Sequence, residues 1–443
     1  MVGVSWEEGI IGKMEQFLLR RFPIGPMWAR AIPTALTSVA LHNATLRDEM
    51  GLVKANVFIT YIAPSGLGCK TPLVRFARNI MFKWAPSLLS VGKFTPEGYT
   101  EYVGGTKKKK DREPTLPHPV NIAIRDEFSK FLSEQAAYNK TILEFFSDLW
   151  DGWIEGSYTR KIQFEGKIPV YFTLLSSSTE YFLNLLKESF FTQGVGNRIL
   201  WIVETPPEPK RKNEDTFFFG KGEKDVEADK LTKETIENLA NLTSPKDVFI
   251  LQEARKLWVD YDHKMRYSAY VSKNFKGSFE IKQSLNVLKL GMIYSGSCFN
   301  YHEGVITIDK ENMKRAIEDT NKYYDMWNKT MDLWKLRTVK KRLETRLPSS
   351  KYDLLDMLNF AKGMGGLTSV KELSDGLNCP DRTTVGKVVA LGVSKGLLKI
   401  VAEKGKRGNL SLDQYSRFKG KRGPSPQIFM VTEKGGKWKG KKH

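Results

Sequence analysis

Lys70 and Thr71 close a glycine-bearing turn, Ala63-Pro64-Ser65-Gly66-Leu67-Gly68-Cys69-Lys70-Thr71, and a carboxylate pair, Asp126 and Glu127, follows some way downstream. Glycines let a backbone curl until its N–H groups point inward at an anion. A lysine placed after them reaches two neighbouring phosphates, and an adjacent hydroxyl can hold Mg²⁺. An Asp beside such a site can hold the water shell of the metal, while the Glu polarises an attacking water. Lys70, Thr71, Asp126 and Glu127 are therefore candidates for a nucleotide site. The usual spacing puts Gly directly before Lys, but here Cys69 stands between Gly68 and Lys70. Either the loop carries one extra residue, or Cys69 occupies the last glycine position. The plain alternative is a glycine turn of any α/β protein, and an Asp-Glu pair after a strand also serves as a helix start.

The flanking residues supply the elements such chemistry needs. Val57 to Ile62 reads as a buried strand running into the turn, and Pro72 to about Met81 as a helix, with proline where no donor is lost. Val120 to Ile124 reads as a second buried strand delivering Asp126 and Glu127, followed by a helix over Phe128–Phe146. Tyr171 to Leu175 is a third, ending in serines, so that Ser176 could sit beside a terminal phosphate as a sensor or merely cap a helix. A helix from Glu180 to about Phe190 leads to Gly194-Val195-Gly196-Asn197-Arg198 and a strand over Ile199–Val203. An arginine held between a glycine turn and a strand suits an arginine finger, or a structural ion pair. Gly156 to Val170 reads as a hairpin turning at Glu165-Gly166, with Tyr158, Arg160 and Lys161 on its first arm. An aromatic flanked by cations can stack a base and pair a phosphate, although a plain surface hairpin has the same pattern. The loop over 104–118 carries Lys107 to Lys110, fit either for a phosphate backbone or for a solvated tip.

Taken in order, APSGLGCKTP, IRDEFSKFL, LLSSST and FTQGVGNRIL resemble the ATPase core of primase-linked replicative helicases of plasmids, phages and viruses of bacteria and archaea. The resemblance covers about residues 30–330. It implies a RecA/AAA+-like P-loop core, ATP hydrolysis with Mg²⁺ and a ring oligomer, expected to be a hexamer. It carries roles to Lys70, Thr71, Asp126, Glu127 and Arg198, the last acting on a neighbour's nucleotide. Cys69 departs from the family pattern. A primase or polymerase would be a separate partner.

Seventy Lys and Arg against 50 Asp and Glu give a net charge of +20. Such an excess favours a polyanion, most often nucleic acid, unless the whole proteome is basic. Residues 351–443 hold nineteen cationic and eight acidic side chains, so one fifth of the chain carries more than half of the excess. Three scattered cysteines argue against a disulfide framework or a zinc site and fit a reducing cytoplasm. No stretch is apolar enough for a membrane span, and Glu7 and Glu8 behind Trp6 do not suit a signal peptide.

The expected fold is α/β: a helical segment over 1–50, with breaks at Pro23, Pro26 and Pro33 and a helix over Thr34–Arg47; a P-loop ATPase core over 51–229, ending in a charged loop over 205–229; and a mostly helical part with a linker helix over 230–347. The last segment, 348–443, reads as a winged helix with a basic tail. Its helices are expected at Lys351–Ala361, from Thr368 to near Leu377, and at Asp381–Lys395, with strands at Leu397–Val401 and Gln427–Val431. DNA-binding candidates are Arg382, Thr383, Thr384 and Lys387 on the recognition helix, and Lys404, Lys406 and Arg407 in the wing. The expectation is an ATP-driven DNA helicase or translocase. The competing readings are an origin-binding or regulatory protein with weakened ATPase, and a DNA-packaging translocase.

Overall fold

The computed structural model describes residues 3–48, 51–90, 99–100, 102–103, 118–128, 142–155, 167–184, 186, 188–192, 194–205, 207, 226–244, 246–272, 275–346, 358–359, 361–362, 367–370, 372–373, 382–402 and 428–432. The chain divides into two compact units, Met1–Met331 and Asp332–His443. Among the described residues, no helix is long and apolar enough to cross a membrane.

The first unit opens with α1 (Ile10–Arg21) and α2 (Pro26–Ala40). Pro33 lies inside α2 instead of breaking it, because Trp28, Ala29, Ala31, Ile32, Ala35 and Leu36 around it are fully buried and packing holds the helix. The helix expected over Thr34–Arg47 ends at Ala40; Ala44–Asp48 is a strand, β1, pairing antiparallel with β2 (Gly51–Lys54). Then come β3 (Phe58–Ile62), α3 (Lys70–Trp84), β4 (Val120–Arg125), α4 (Ile142–Asp151), β5 (Trp153–Glu155), β6 (Lys167–Pro169), β7 (Tyr171–Ser178), a 3-10 turn at Glu180–Asn184, α5 (Glu188–Thr192) and β8 (Ile199–Ile202). β4, β7, β3 and β8 form, in that order, a four-stranded sheet in which every pair is parallel. All of β3 and β7 is buried, which explains why neither shows the polar–apolar alternation of a half-exposed strand: a parallel strand covered on both faces has no solvent side, and the hydroxyls of Thr60 and Ser176 pair with each other inside it. Leu89 bridges to Ile122 in parallel, beside β4.

The rest of the unit is α6 (Val226–Leu242), β9 (Lys246–Ile250), α7 (Gln252–Ser272), α8 (Phe275–Ser297), β10 (Tyr301–His302), β11 (Val305–Ile308) and, up to Met331, the first part of α9 (Lys310–Arg346). Asp309 caps α9, its Oδ1 accepting the Asn312 N–H at 2.8 Å. The sequence suggests a mostly helical segment here and names no strand, yet β10, β11 and β9 complete a second sheet with β1 and β2, in the order β10-β11-β9-β1-β2. One continuous core runs from Ile10 to Met326, so the segments expected at 1–50, 51–229 and 230–347 share their burial up to that residue.

A buried charge network ties the first helices to α9. Arg30 donates to both Glu15 oxygens at 2.8 and 2.9 Å and to Asp319 Oδ1 at 2.7 Å, while the Tyr294 hydroxyl donates to Asp319 Oδ2 at 2.7 Å. Burial by itself would raise the Asp319 carboxyl, but the Arg30 charge and the hydrogen bonds from Lys322, Arg30 and Tyr294 hold it below its ordinary value.

The second unit contains β12 (Leu367–Ser369), α10 (Arg382–Ser394), β13 (Leu398–Ala402) and β14 (Ile428–Val431), with an antiparallel sheet ordered β12-β14-β13. Its own core includes Leu358, Leu373, Val385, Val389, Leu398 and Phe429. The expected helix start at Thr368 is corrected: Leu367–Ser369 is a strand. Helix begins at Val370, after a capping box in which Ser369 Oγ accepts the Glu372 N–H and Glu372 Oε2 accepts the Ser369 N–H, both at 3.3 Å.

Arg30→Met should destabilise the first unit by about 3–5 kcal/mol in urea titrations, because it strands Glu15 and Asp319 in the core. A depressed carboxylate contributes stability that is complete above its unfolded value, near 3.9, and is lost as pH falls through its folded value. The wild type should therefore lose stability below about pH 4. Asp319→Asn should be weaker at neutral pH and flatter across that acid window.

Candidate functional site

The turn after β3 is built by three residues in left-handed conformation, Gly66 at φ +78°, Gly68 at +72° and Cys69 at +45°. Cys69 is the N-cap of α3 and Lys70 its first residue. Cys69 thus adopts, directly before the lysine, a left-handed backbone that glycine takes at lower cost. A non-glycine residue held there costs about 1–2 kcal/mol. Gly68 is required twice over: besides its φ, a Cβ there would sit 2.3 Å from the Tyr61 hydroxyl. Tyr61 cannot retreat, because its ring stacks on Trp28 of α2 at 4.6 Å and both are fully buried. Trp28 is fixed in turn by Glu204, just beyond β8, whose carboxylate accepts the Met27 and Trp28 N–H groups at 3.1 Å each. Pro64, Ser65, Gly66 and Leu67 form the exposed rim of the loop.

Lys70 Nζ donates to the carbonyls of Ala63 and Pro64 at 2.8 and 2.6 Å, folded back over the loop's own backbone. Burial lowers its pKa; the charges of Glu180 and then Glu127 act in the opposite direction. Both carboxylates therefore lie within the electrostatic reach of the lysine. Glu180, first residue of the 3-10 turn after β7, acts on it more strongly than Glu127, and the sequence motifs do not single it out. The available signal was a carboxylate two residues past a strand that ends at the same sheet edge.

Asp126 and Glu127 follow β4 and are exposed, pinned from both sides. Ser177 Oγ donates to the Asp126 carbonyl at 3.0 Å, and the buried Phe128 ring meets Phe182 at 5.4 Å. Arg78 of α3 donates Nε and Nη2 to the Ile124 carbonyl at 3.0 and 2.8 Å, locking the helix behind Lys70 onto the strand that ends in the acids. The Thr71 hydroxyl and the Asp126 carboxylate are the hard oxygen donors suited to Mg²⁺.

Ser176 is displaced from its expected role. β7 continues to Ser178, and Ser176 is fully buried within the sheet, its Oγ 2.8 Å from Thr60 Oγ1. The residue at the strand end is Ser178, in register with Ile62, with a buried hydroxyl that has no hydrogen-bond partner among the described residues.

Arg198 lies on the opposite edge of the sheet. It directly precedes β8, whose Ile199 is in register with Phe58, the first residue of β3, whereas the loop follows Ile62, the last. Four residue steps of strand, ~13 Å, separate the two levels. Arg198 Nη2 donates to Asp151 Oδ2 at 2.7 Å and Nη1 to the Gly194 carbonyl at 3.1 Å.

The arms at β5 and β6 pair antiparallel as a hairpin would, but the turn and Tyr158, Arg160 and Lys161 lie outside the described residues. So do Lys107–Lys110, Cys379 and Lys404, Lys406 and Arg407. Arg382, Thr383, Thr384 and Lys387 belong to α10, and only their backbone is described.

No protein-family model matches the sequence, and a search of curated proteins finds no relative.

Two substitutions separate the roles of the loop residues. Gly68→Ala should lower the thermal midpoint and weaken any phosphate binding the loop supports, since both φ and the Tyr61 hydroxyl oppose a methyl there. Cys69→Gly should leave stability within about 1 kcal/mol of wild type, relief of left-handed strain being offset by a freer unfolded chain. It should preserve any hydrolysis the loop supports, and a collapse of both properties would show that the Cys69 side chain itself is needed.

Proposed function

We propose that this chain is an ATP-hydrolysing motor that acts on DNA as a ring oligomer. The observation that carries the reading is the meeting of Lys70, Thr71, Asp126, Glu127 and Glu180 around one edge of the parallel sheet. Ligands of open α/β sheets bind outside the carboxyl ends of the strands, where the connections diverge to opposite sides. β3 is such a place: the chain leaves it for β4 on one side and later reaches β8 on the other.

In this reading the loop backbone and the N-terminus of α3 hold the phosphates, and Lys70 moves from the Ala63 and Pro64 carbonyls onto them. ATP with Mg²⁺ supplies the transferable phosphoryl group. Thr71 and Asp126 hold the metal, Glu127 orients the water, and Ser178, in place of Ser176, offers the polar contact at the strand end. Arg198 faces away from its own loop, which suits a finger presented to a neighbouring subunit.

DNA binding is supported by charge and by the second unit. A helix, α10, leads directly into two antiparallel strands, β13 and β14, and the connection between these carries Lys404, Lys406, Arg407, Arg417, Lys419, Lys421 and Arg422. That order and charge match a winged helix reading duplex DNA. A partner primase or polymerase would complete a replicative role.

Lys70→Ala should reduce ATP turnover by at least about 10²-fold with the fold intact, and Glu127→Gln should bind ATP but not turn it over. Hydrolysis at the wild-type rate in Lys70→Ala would refute the site. Ending the chain at Arg346 should weaken DNA binding and flatten its salt dependence, by a log–log slope of roughly 0.9 for each duplex phosphate no longer neutralised. An unchanged slope would make the second unit a protein-contact module.

A further inference from the structure

At the starting edge of the parallel sheet, a buried tryptophan is enclosed by cations. Trp150, near the end of α4, is 1% exposed. Lys289 Nζ lies 3.7 Å from its ring centroid, Lys282 Nζ 5.2 Å and Arg198 Cζ 5.5 Å. Lys289 and Lys54 are committed to structure. The first donates to Asn56 Oδ1, the Asn56 carbonyl and the Trp150 carbonyl at 2.8, 3.0 and 3.2 Å. The second donates to the Gly152 and Val170 carbonyls at 3.1 and 3.0 Å.

Arg198 and Lys282 are held differently. One carboxylate spans them: Asp151 Oδ2 takes the Arg198 Nη2 bond at 2.7 Å, and its Oδ1 lies 3.8 Å from Lys282 Nζ. The three side chains are partly exposed, 13% for Arg198, 28% for Lys282 and 28% for Asp151. A single carboxylate cannot neutralise both cations, and the committed charges of Lys54 and Lys289 stand behind them. The result is a pair of cations spaced to share one small anion, with Asp151 in the place of that anion.

We propose that Lys282 is a second cation acting in trans beside Arg198, the two together receiving the γ-phosphate of the nucleotide held by the neighbouring subunit. The proposal rests on the reading of this chain as a ring ATPase. Neither cation is placed to serve its own loop, because the strand lengths separate the two sheet edges. Two cations converging on one carboxylate suit a single phosphoryl group better than a nucleic-acid backbone, along which charges are strung out. Asp151 keeps the pair in register until the phosphate takes its place, so the finger is preorganised before subunits meet.

The test is steady-state ATP hydrolysis by the full chain, with fluorescent ATP-analogue binding measured in parallel. Lys282→Ala should lower kcat about 10²-fold while leaving nucleotide affinity within about twofold of wild type, and Lys282→Arg should recover most of the rate. Lys282→Gln keeps the stem over Trp150 without the charge and should behave as Lys282→Ala does, covering the case in which alanine fails to fold. Rings co-expressed from Lys282→Ala and Lys70→Ala subunits should regain activity, since some interfaces join an intact loop to an intact pair. Rings of Lys282→Ala with Arg198→Ala should not, because no subunit presents both cations. Wild-type turnover in Lys282→Gln, or recovery in that last mixture, would overturn the proposal. So would a drop in DNA affinity with hydrolysis intact, which would assign the pair to nucleic acid. Failure of the underlying reading is distinct: Lys70→Ala would then hydrolyse ATP as wild type does.

Discussion

Parallel pairing gives the central sheet two chemically different edges. Every strand of it starts on one side and ends on the other, so whatever follows a strand gathers at one edge and whatever precedes it gathers at the opposite one. In register against β7, β4 ends at Arg125↔Ser176 and β3 at Ile62↔Ser178, so the strand ends fall within two residues of each other. The loop with Lys70, the acidic pair and Ser178 follow strands; Arg198 and Asn56 precede them, and the end of α4 joins that second group through Lys289. The two sets of chemistry lie ~13 Å apart along the strands, so one copy presents them on opposite sides of the sheet.

Each edge is stiffened by contacts from elsewhere. At the ending edge, Trp28 and Tyr61 form a stacked floor beneath Gly68, anchored by Glu204 at the start of α2. At the starting edge, the Lys289 ammonium ties α8 to Asn56 and to the carbonyl of Trp150. Burial drives the pKa of Lys289 well down, with the Asp151 charge opposing and those of Lys282, Arg198 and Lys54 adding to the shift. A buried lysine is tolerated when its hydrogen bonds are supplied, as they are here by three oxygens.

The parallel sheet is legible in the sequence because strands buried on both faces are written as apolar runs between turn signals. Val120–Ile124 and Val57–Ile62 match β4 and β3 to within a residue at each end. The second sheet is not legible: β10 has two residues, β9 opens on a lysine and an aspartate before only three apolar residues, and its partners come from residues 44–54 and 246–308. Of the site, Lys70, Asp126 and Glu127 stand out by their spacing. The ending of β7 does not, since Ser176 and Ser177 look like a turn until Thr60 and the Asp126 carbonyl are seen to take their hydroxyls. Lys282 and Asp151 are invisible as a pair because charges on helices read as solvent-facing, and what joins them is tertiary.

The second sheet also constrains how the chain can be made. β1 pairs with β9 at Ala44↔Lys246, so one partner is synthesised some 200 residues before the other. At about 5–20 residues per second, the ribosome takes roughly 10–40 s to cover that distance. Throughout that interval the β1–β2 ribbon lacks its neighbour and its buried Leu46 and Val53 lack their cover from later helices. The nascent first unit therefore exposes that apolar surface until α8 and β11 emerge, and closure of its core comes late in synthesis.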